Sequence, residues 1–180
     1  MKQFFHSMTE IRQHLNSLPY AACPYCQKQG CLVPHDNVYR YHDRSLVPVG
    51  KRIFCSNRYT HSGCGRTYRL YLAQVVPGLH YAATHVMLFI TLLLAGKTIA
   101  HAYFAATQQP NPRHAYRWLN RLQRQCCTFR CQLKTPHLAS PMVYRSRRFQ
   151  VVLGTLSCLI AQLGNSFCLH FQVLSQRAFF

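Results

Sequence analysis

Hydrophobic and polar positions follow two different periods along the chain, and the period changes near residue 76. Before that point, short segments of alternating apolar and polar residues are separated by turn residues, which is typical of β-strands. The segments are VYRYH, LVPVGKRIFC with a turn expected at Gly50 and Lys51, and TYRLYL. After Pro77 and Gly78, apolar residues recur every three or four positions as far as about Lys134, which predicts helices. The predicted fold class is therefore α+β.

One helix is expected before the strands. Ser7 and Glu10 stand at the spacing of a capping box, in which both side chains accept hydrogen bonds from amides at the start of a helix. The helix should run from about Met8 to Leu18 and stop at Pro19, because proline interrupts the helical hydrogen-bond ladder. Residues 1–19 are thus assigned to an N-terminal helix and residues 20–76 to a small β module.

Residues 79–134 carry the pattern of three consecutive helices. Gly96 is placed to close the first helix, and Thr98 is placed to cap the second. Asn111 is the expected cap of the third helix, with Pro112 at its first position. A short second helix and a third that is polar on one side are typical of a helix-turn-helix, although the turn here is longer than in the compact motif.

The last apolar segment, residues 144–180, begins with a regular stripe. Five apolar residues are spaced three and four apart, as in the seam of a short coiled coil. They are Phe149, Val152, Leu156, Leu159 and Leu163. Such a stripe either packs into the chain's own core or pairs with a second copy, so a core helix and a homodimer both stay open. Residues 165–180 are apolar without a clear period and allow no prediction.

The large excess of basic over acidic residues restricts the classes of function that the protein can have. The 180 residues include 21 Lys and Arg, 16 of them Arg, against the three acids Glu10, Asp36 and Asp43, for a formal net charge of +18. An excess of this size cannot be neutralised within the chain and favours a polyanionic partner. Metal-dependent nucleases, transposases and glycosidases need paired carboxylates, so an enzyme of these classes is not expected. The enzymatic alternatives are a nuclease that uses Cys and His, and a strand transferase with Tyr103 or Tyr116 as nucleophile.

The expected cellular compartment is inferred from the N-terminal sequence and from the lengths of the apolar runs. The N-terminal sequence does not resemble a secretory signal, and the longest apolar runs, residues 86–95 and 151–161, are too short to cross a bilayer. A cytoplasmic protein on the nucleoid, without membrane contact, is therefore expected. In a reducing compartment, closely spaced cysteines indicate metal binding rather than disulfides.

Four of the ten cysteines fall at the positions of a zinc ribbon. Cys23 and Cys26 form a CxxC knuckle, Cys55 ends an expected strand, and Cys64 precedes another. Two thiolate pairs joined by a hairpin can hold one Zn²⁺, and such a closed four-ligand site is structural rather than catalytic. The eight residues between Cys55 and Cys64 exceed what a knuckle needs. His61 is the alternative third ligand, because it stands at knuckle spacing from Cys64.

The third helix of the set has a cationic side and an apolar side. At about 100° per residue, five polar side chains fall within an arc of roughly 100°. They are Arg113, Arg117, Asn120, Arg121 and Arg124. The apolar residues cluster opposite them, with Trp118 on the flank; they are Ala115, Leu119, Leu122 and Cys126. Arginine can read guanine and asparagine can read adenine in a major groove, so this helix is the expected reader of double-stranded DNA.

Further arginines of the β module are interleaved with tyrosines. We expect phosphate contacts from Arg58, which lies between the second pair of cysteines, and from Arg66 and Arg69, which follow it. Aromatic and basic side chains together can also stack on unpaired bases. An RNA-binding or single-strand-binding protein that uses this module is therefore the alternative function.

The four cysteines of the expected zinc ribbon lie in the segments CPYC, KRIFC and CGRTYRLY, and these are followed by GKTIAHAYFAATQQPNPRHAYRWLNRL. Together these segments resemble the zinc-ribbon and helix-turn-helix regions of bacterial insertion-sequence proteins. The CSN and CG portions are also similar to zinc-finger activators of phage late transcription. The resemblance covers residues 20–125 and implies that Cys23, Cys26, Cys55 and Cys64 bind zinc while residues 113–124 read DNA.

This chain departs from the pattern of those proteins in its long gap between the third and fourth cysteines and in having no acidic catalytic domain downstream. The resemblance then implies a stand-alone DNA-binding protein, either a transposition accessory factor or a transcriptional regulator. A transposase or RNA polymerase is the protein partner that such a role would involve.

Overall fold

A computed structural model describes residues 1–42, 45–133 and 149–180. The chain divides into two compact units, Met1–Val75, here the sheet unit, and Val76–Phe180, here the helical unit. The described residues form one four-stranded sheet and six α-helices, so the mixed α+β class is confirmed. The described residues do not include Asp43, the predicted end of the helical region near Lys134 or the predicted start of the last segment near residue 144.

The sheet unit is built on four strands in the spatial order β1-β4-β3-β2. The strands are β1 (Lys2–Phe5), β2 (Leu32–His42), β3 (Ser45–Cys55) and β4 (Thr67–Leu72). Strands β2, β3 and β4 pair antiparallel, whereas β1 lies parallel to β4. The three antiparallel strands include the segments that the alternation of apolar and polar residues predicted.

The first strand was not predicted from the sequence. Strand β1 has only four residues, too few for alternation to be visible, and it is held by its pairing with β4, in which Phe4 lies opposite Tyr71. Phe4 is buried, so the strand contributes to the core of the sheet unit. Residues 1–19 therefore hold a strand as well as the predicted helix.

The predicted N-terminal helix is present as α1 (Met8–Ser17). The Ser7 hydroxyl accepts a hydrogen bond from the Glu10 amide at 3.1 Å, and the Glu10 carboxylate accepts one from the His6 amide at 2.8 Å. The first bond is the expected N-cap interaction of Ser7, and in the second the Glu10 carboxylate reaches back to the amide one residue before the N-cap. The α-helix stops before Pro19, where a short 3-10 turn, Leu18–Tyr20, leads to the first cysteine pair.

The turn predicted at Gly50 and Lys51 is wrong, because β3 runs through both residues without interruption. Gly50 pairs with Tyr71 of β4, and a Cβ atom added at Gly50 would lie 2.0 Å from the Leu70 carbonyl oxygen. The glycine therefore permits a close approach of two backbones within the sheet. Glycine has this role inside strands, in addition to its common role in turns.

The helical unit contains α2 (Ala83–Leu94), α3 (Ile99–Thr107), α4 (Arg113–Gln132), α5 (Gln150–Leu163) and α6 (Phe167–Ser175). Two of the three predicted helix ends are confirmed, those at Gly96 and Thr98. Gly96 adopts a positive φ of 81° after α2, and the Thr98 hydroxyl accepts a hydrogen bond from the His101 amide. The Asn111 side chain accepts one from the Arg113 amide at 3.0 Å, but α4 begins at Arg113, so Pro112 and not Asn111 occupies the N-cap position and the predicted start is one residue early.

The apolar side of α4 packs into the core of the helical unit, and this side is wider than predicted. Ala115, Leu119, Leu122 and Cys126 are buried, as expected. Trp118 was placed on the flank of the helix but is only 2% exposed. Its ring packs against Tyr81, Phe89 and Tyr103 at centroid distances of 5.3 to 5.5 Å. Aromatic residues from α2, from α3 and from the segment before α2 cover that flank, which a helical wheel of α4 alone does not show.

The apolar stripe near the C-terminus lies in this same core. Four of its residues are buried at 0 to 1% exposure, namely Phe149, Val152, Leu156 and Leu159. Of the two interpretations left open, the core helix is the one observed, and the stripe is not available as a seam for a homodimer.

The segment that allowed no prediction forms α6 and a final turn. Phe167 and Phe171 of α6 are buried together with Phe179, and the amide of Phe179 donates a hydrogen bond to the buried Gln172 side chain at 3.1 Å. Phe129 of α4 contacts the rings of Phe171 and Phe179 at 4.9 and 5.0 Å. The C-terminal residues thus complete the core of the helical unit.

Within the described ranges, no single helix has the length and apolar character needed to span a membrane. Helices α5 and α6 meet that test only as a pair, and they are bent by 84° at the break between them.

Candidate metal centre

Four cysteine sulfurs converge at one end of the sheet. Cys23 and Cys26 lie in the loop between the 3-10 turn and β2, Cys55 is the last residue of β3, and Cys64 lies shortly before β4. All four Sγ atoms are within 4.8 Å of one another, so one metal ion could contact them all. The four cysteines predicted from the sequence are therefore the ones that the structure brings together, and the cluster does not include His61.

The backbone around the first pair forms a tight knuckle. The Cys23 amide donates a hydrogen bond to the Lys28 carbonyl at 2.9 Å, and the Gln27 amide donates to the Cys23 carbonyl at 2.8 Å. Gln27 has a positive φ of 61°, which turns the chain back after Cys26. The Tyr25 amide donates to the Cys23 sulfur at 3.4 Å. Amides directed at sulfur favour the thiolate form that metal binding requires.

The second pair repeats these hydrogen bonds despite its longer spacing. The Cys55 amide donates to the Arg66 carbonyl at 2.9 Å, and the Gly65 amide donates to the Cys55 carbonyl at 3.0 Å. Gly65 follows Cys64 just as Gln27 follows Cys26, and its φ of 71° is likewise positive. The Cys64 amide donates to the Cys55 sulfur at 3.2 Å. The second pair is therefore also a knuckle.

The second knuckle has six more residues between its cysteines than the first, and they form a loop whose two ends lie close together. Ser56 and Gly63 are joined by a hydrogen bond of 2.7 Å from the Gly63 amide to the Ser56 carbonyl. These two residues occupy the positions of Pro24 and Tyr25 in the first knuckle, and residues 57–62, here the knuckle loop, form an insertion between them. The long spacing between the cysteines thus leaves the cysteine geometry intact.

Gly63 is needed where the knuckle loop closes. A Cβ atom at this position would lie 2.2 Å from the Ser56 carbonyl oxygen and 2.6 Å from the Cys55 sulfur. Both distances are too short for any side chain, so only glycine fits. The sequence alone does not reveal this role of Gly63, because it depends on the Ser56 partner that closes the loop.

The knuckle loop is anchored at its base and exposed at its tip. The Lys28 ammonium donates a hydrogen bond to the Ser62 carbonyl at 2.7 Å, and the Arg58 amide donates to the Ser56 hydroxyl at 3.3 Å. Tyr59 at the tip is fully exposed and has a positive φ of 56°. The Tyr59 ring therefore does not belong to the core of the sheet unit.

The pKa values of Cys23 and Cys55 are shifted in opposite directions. Burial opposes ionisation of the Cys23 thiol, but the amides of Cys26 and Tyr25 and neighbouring thiols donate to its sulfur and lower its pKa to about 7. Burial, together with the adjacent thiols, raises the pKa of Cys55 to about 12. The metal-free cluster therefore cannot carry four negative charges near neutral pH, whereas a bound cation would stabilise all four thiolates.

Basic residues of the sheet unit lie around the second knuckle. The Arg66 guanidinium lies over the Tyr25 ring at 5.4 Å from its centroid, and the Arg58 guanidinium lies over Phe54 at 5.9 Å. Arg69 of β4 donates a hydrogen bond to the Tyr71 hydroxyl at 3.3 Å. Each of these arginines is exposed and has an aromatic residue as neighbour, and the ion pairs of the described residues include none of the three.

In the helical unit, the polar side of α4 is exposed as predicted. Arg113, Arg117, Arg121 and Arg124 are exposed and Asn120 is partly exposed; together these five residues are here the basic face. Residues 76–180 contain eleven Lys and Arg and no Asp or Glu. No acidic side chain of this unit can therefore neutralise the basic face.

Comparison with descriptions of known protein families, with curated proteins and with solved structures finds no match to this chain. The resemblance to insertion-sequence and phage proteins stays a prediction from the motifs.

Proposed function

We propose that the protein is a zinc-stabilised, non-enzymatic and sequence-specific DNA-binding protein of a mobile element or phage. In this proposal, the cysteine cluster is a zinc ribbon that holds the sheet unit together. Helices α2, α3 and α4 act as a helix-turn-helix in which α4 reads the DNA. The protein would work as a transposition accessory factor or as a transcriptional regulator.

Zinc is the metal that the cluster suits best. In a tetrahedral site with Zn–S bonds of about 2.3 Å, neighbouring sulfurs are about 3.8 Å apart. The Cys23 and Cys64 sulfurs are 3.8 Å apart, as are those of Cys26 and Cys55. Four thiolates leave no open coordination position for substrate or water, so the role of the ion would be structural.

The observation that carries the DNA-binding proposal is the uncompensated charge of α4. An ordinary solvated basic helix would pair its arginines with glutamates one turn away, and this unit has no acidic residue to do so. Arg113, Arg117 and Arg121 repeat at intervals of four residues and are all exposed. A row of this kind can follow a groove, with bidentate contacts to guanine or to phosphate.

The sheet unit would add contacts to phosphate. Arg58, Arg66 and Arg69 are exposed and have no carboxylate partner among the ion pairs of the described residues. Phosphate contacts hold a protein in register on the duplex without reading its sequence. We assign this positioning role to these arginines and to the knuckle loop.

A specific observation also favours the second candidate, binding to RNA or single strands. Tyr39, Tyr41 and Tyr59 of the sheet unit are exposed by 54, 74 and 101%. Exposed aromatic rings beside arginines form stacking platforms for unpaired bases. This candidate places the nucleic acid on the sheet unit, and it does not need α4.

Fluorescence anisotropy with labelled duplex and single-stranded oligonucleotides separates the two candidates. We expect tighter binding to duplex, and at least tenfold weaker binding when Arg117→Ala and Arg121→Ala are combined, because each lost phosphate or base contact costs about 1–3 kcal/mol. Arg177→Ala is the matched control, since it removes an exposed arginine outside α4. A preference for single strands that the double variant leaves unchanged would overturn the proposal in favour of the second candidate.

Partners and assembly are part of the proposal as well. A transposase or RNA polymerase would recruit the protein or be recruited by it. A homodimer, which would let two copies bind two half-sites, needs a surface other than the buried stripe of α5.

A further inference from the structure

A cleft of about 350 Å³ opens within the helical unit, where α3 is followed by α4. Its wall is formed by residues from the segment before α2, from α3, from the turn after α3 and from the first two turns of α4. They are Tyr81, Tyr103, Gln109, Asn111, Arg113, His114 and Arg117. The volume lies at the lower end of the range for small-molecule sites, which is roughly 300–1,000 Å³.

The inner wall of the cleft is aromatic and rigid. Tyr103 is only 1% exposed, and its ring packs edge-on against Trp118 and Phe89 at 5.5 and 6.3 Å. Tyr81 is partly exposed, so part of its ring is available to a ligand. The Tyr81 ring packs against the buried rings of Tyr103 and Trp118, so a ligand would find its exposed part already in position.

The inner wall also carries hydrogen-bonding groups. The hydroxyls of Tyr81 and Tyr103 lie 3.4 Å apart. In such a pair one hydroxyl donates to the other, and the proton of the acceptor hydroxyl can be donated to a ligand. Burial, aided by the neighbouring Tyr81, raises the pKa of Tyr103 to about 12, so its hydroxyl keeps its proton at neutral pH.

The outer wall is cationic and has amide groups. Arg113 and Arg117 stand one turn apart on α4 and both line the cleft. The Asn111 oxygen already accepts a hydrogen bond from the Arg113 amide, which leaves its NH₂ group as a donor. Since residues 76–180 contain no acidic side chain, the two guanidinium groups have no carboxylate of this unit to bind.

These walls define the chemical class of the ligand. Two arginines one turn apart bind a phosphate group well, because their fork of N–H donors matches its oxygens. The cleft is larger than a phosphate alone requires, and its aromatic inner wall suits a planar ring that carries polar edge groups. A metal cation is disfavoured by the positive charge of the outer wall.

We propose that this cleft binds one nucleotide, with its phosphate between Arg113 and Arg117 and its base against the exposed part of Tyr81. The proposal deepens the DNA-binding function and in part rests on it, because the two arginines belong to the basic face. An unpaired nucleotide beside the duplex and a free mononucleotide share this chemistry, and the experiment has one arm for each.

Trp118 provides a direct readout for the first arm. It is the only tryptophan of the chain, and it lies against both tyrosines of the cleft. Titrating the full, metal-loaded chain with adenosine 5′-monophosphate should change its emission to saturation. Adenosine and inorganic phosphate, each of which supplies half of the ligand, should bind at least tenfold more weakly. Emission that does not respond to the nucleotide overturns the proposal.

Variants then test the placement of the ligand. Tyr81→Phe keeps the ring and removes a hydroxyl, and it should weaken nucleotide binding about three- to tenfold, as expected for one lost hydrogen bond. Arg113→Ala should weaken it tenfold or more, because a charge-assisted bond is lost. Arg177→Ala should bind like the unaltered chain. Equal weakening by Arg113→Ala and Arg177→Ala would show general charge attraction and contradict the site.

The second arm compares a blunt duplex with the same duplex carrying one unpaired 5′ nucleotide. We expect tighter binding to the overhang, and loss of that preference in Tyr81→Phe. If the nucleotide titration fails while the blunt duplex still binds through Arg117 and Arg121, the cleft proposal is wrong and the proposed function stands. If the nucleotide binds the cleft and duplex DNA does not bind at all, the proposed function is wrong and the cleft stands.

Discussion

The amide of Gly63 donates a 2.7 Å hydrogen bond to the carbonyl of Ser56, although six residues separate them. This bond closes the knuckle loop outside the metal site. Because the hydrogen bonds on either side match those of the first knuckle, Ser56 and Gly63 act as the two inner residues of a CxxC motif. The insertion therefore adds a loop to the site without changing how its cysteines are held.

Removing residues 57–62 should leave a working metal site. The shortened segment would read Cys-Ser-Gly-Cys, and the hydrogen bonds of Cys55 to Arg66 and of Gly65 to Cys55 would stay in place. We expect one equivalent of bound zinc per chain, measured by colorimetric metal release. A shortened chain that folds but holds no zinc would contradict the split-knuckle geometry.

Gly63→Ala should destabilise the sheet unit. The added methyl group would overlap the Ser56 carbonyl and the Cys55 sulfur at 2.2 and 2.6 Å, and such overpacking costs on the order of 1–3 kcal/mol. Gly154→Ala on α5 is the matched control, since nothing lies within 4 Å of its added Cβ and alanine favours helix by about 0.5–1 kcal/mol. Thermal unfolding measures both. Equal stability of Gly63→Ala and the unaltered chain would refute the close packing at this glycine.

Cys55→Ser and His61→Ala distinguish the two ligand sets that the sequence left open. Because the sulfur of Cys55 belongs to the cluster and His61 does not, we expect Cys55→Ser to lose the bound zinc and much of the stability of the sheet unit. His61→Ala should keep one equivalent of zinc. Cys127→Ser, which changes an exposed cysteine of α4, controls for the loss of a thiol. Loss of zinc in His61→Ala alone would reverse the assignment.

Features encoded over a few residues were predictable from the sequence. The caps at Ser7 and Thr98 depend on side chains that bond to amides three residues away. The cysteine cluster was predictable for a related reason, since chelation by two pairs demands a short spacing in at least one of them. The exposed side of α4 followed from its helical period alone.

Features that depend on distant partners were not predictable in the same way. Strand β1 exists because β4 offers it a free edge, and Gly50 lies in a strand because Leu70 approaches its backbone. Trp118 is buried because Tyr81 and Tyr103 cover it. The cleft formed by those tyrosines with the arginines of α4 brings together residues more than thirty positions apart, which no local pattern reveals.

The basic face predicts a steep dependence of DNA binding on salt. If about five arginines contact phosphates, the logarithm of the binding constant should fall against the logarithm of salt concentration with a slope of about −4 to −5, because each contact releases a condensed counterion. Combining Arg117→Ala and Arg121→Ala should reduce the slope by about two, whereas Arg177→Ala should leave it unchanged. Anisotropy titrations from about 50 to 200 mM salt cover the range in which such slopes are measured. A flat plot would mean that phosphate contacts do not drive binding, and an equal loss of slope in Arg177→Ala would mean that α4 is not the surface that makes them.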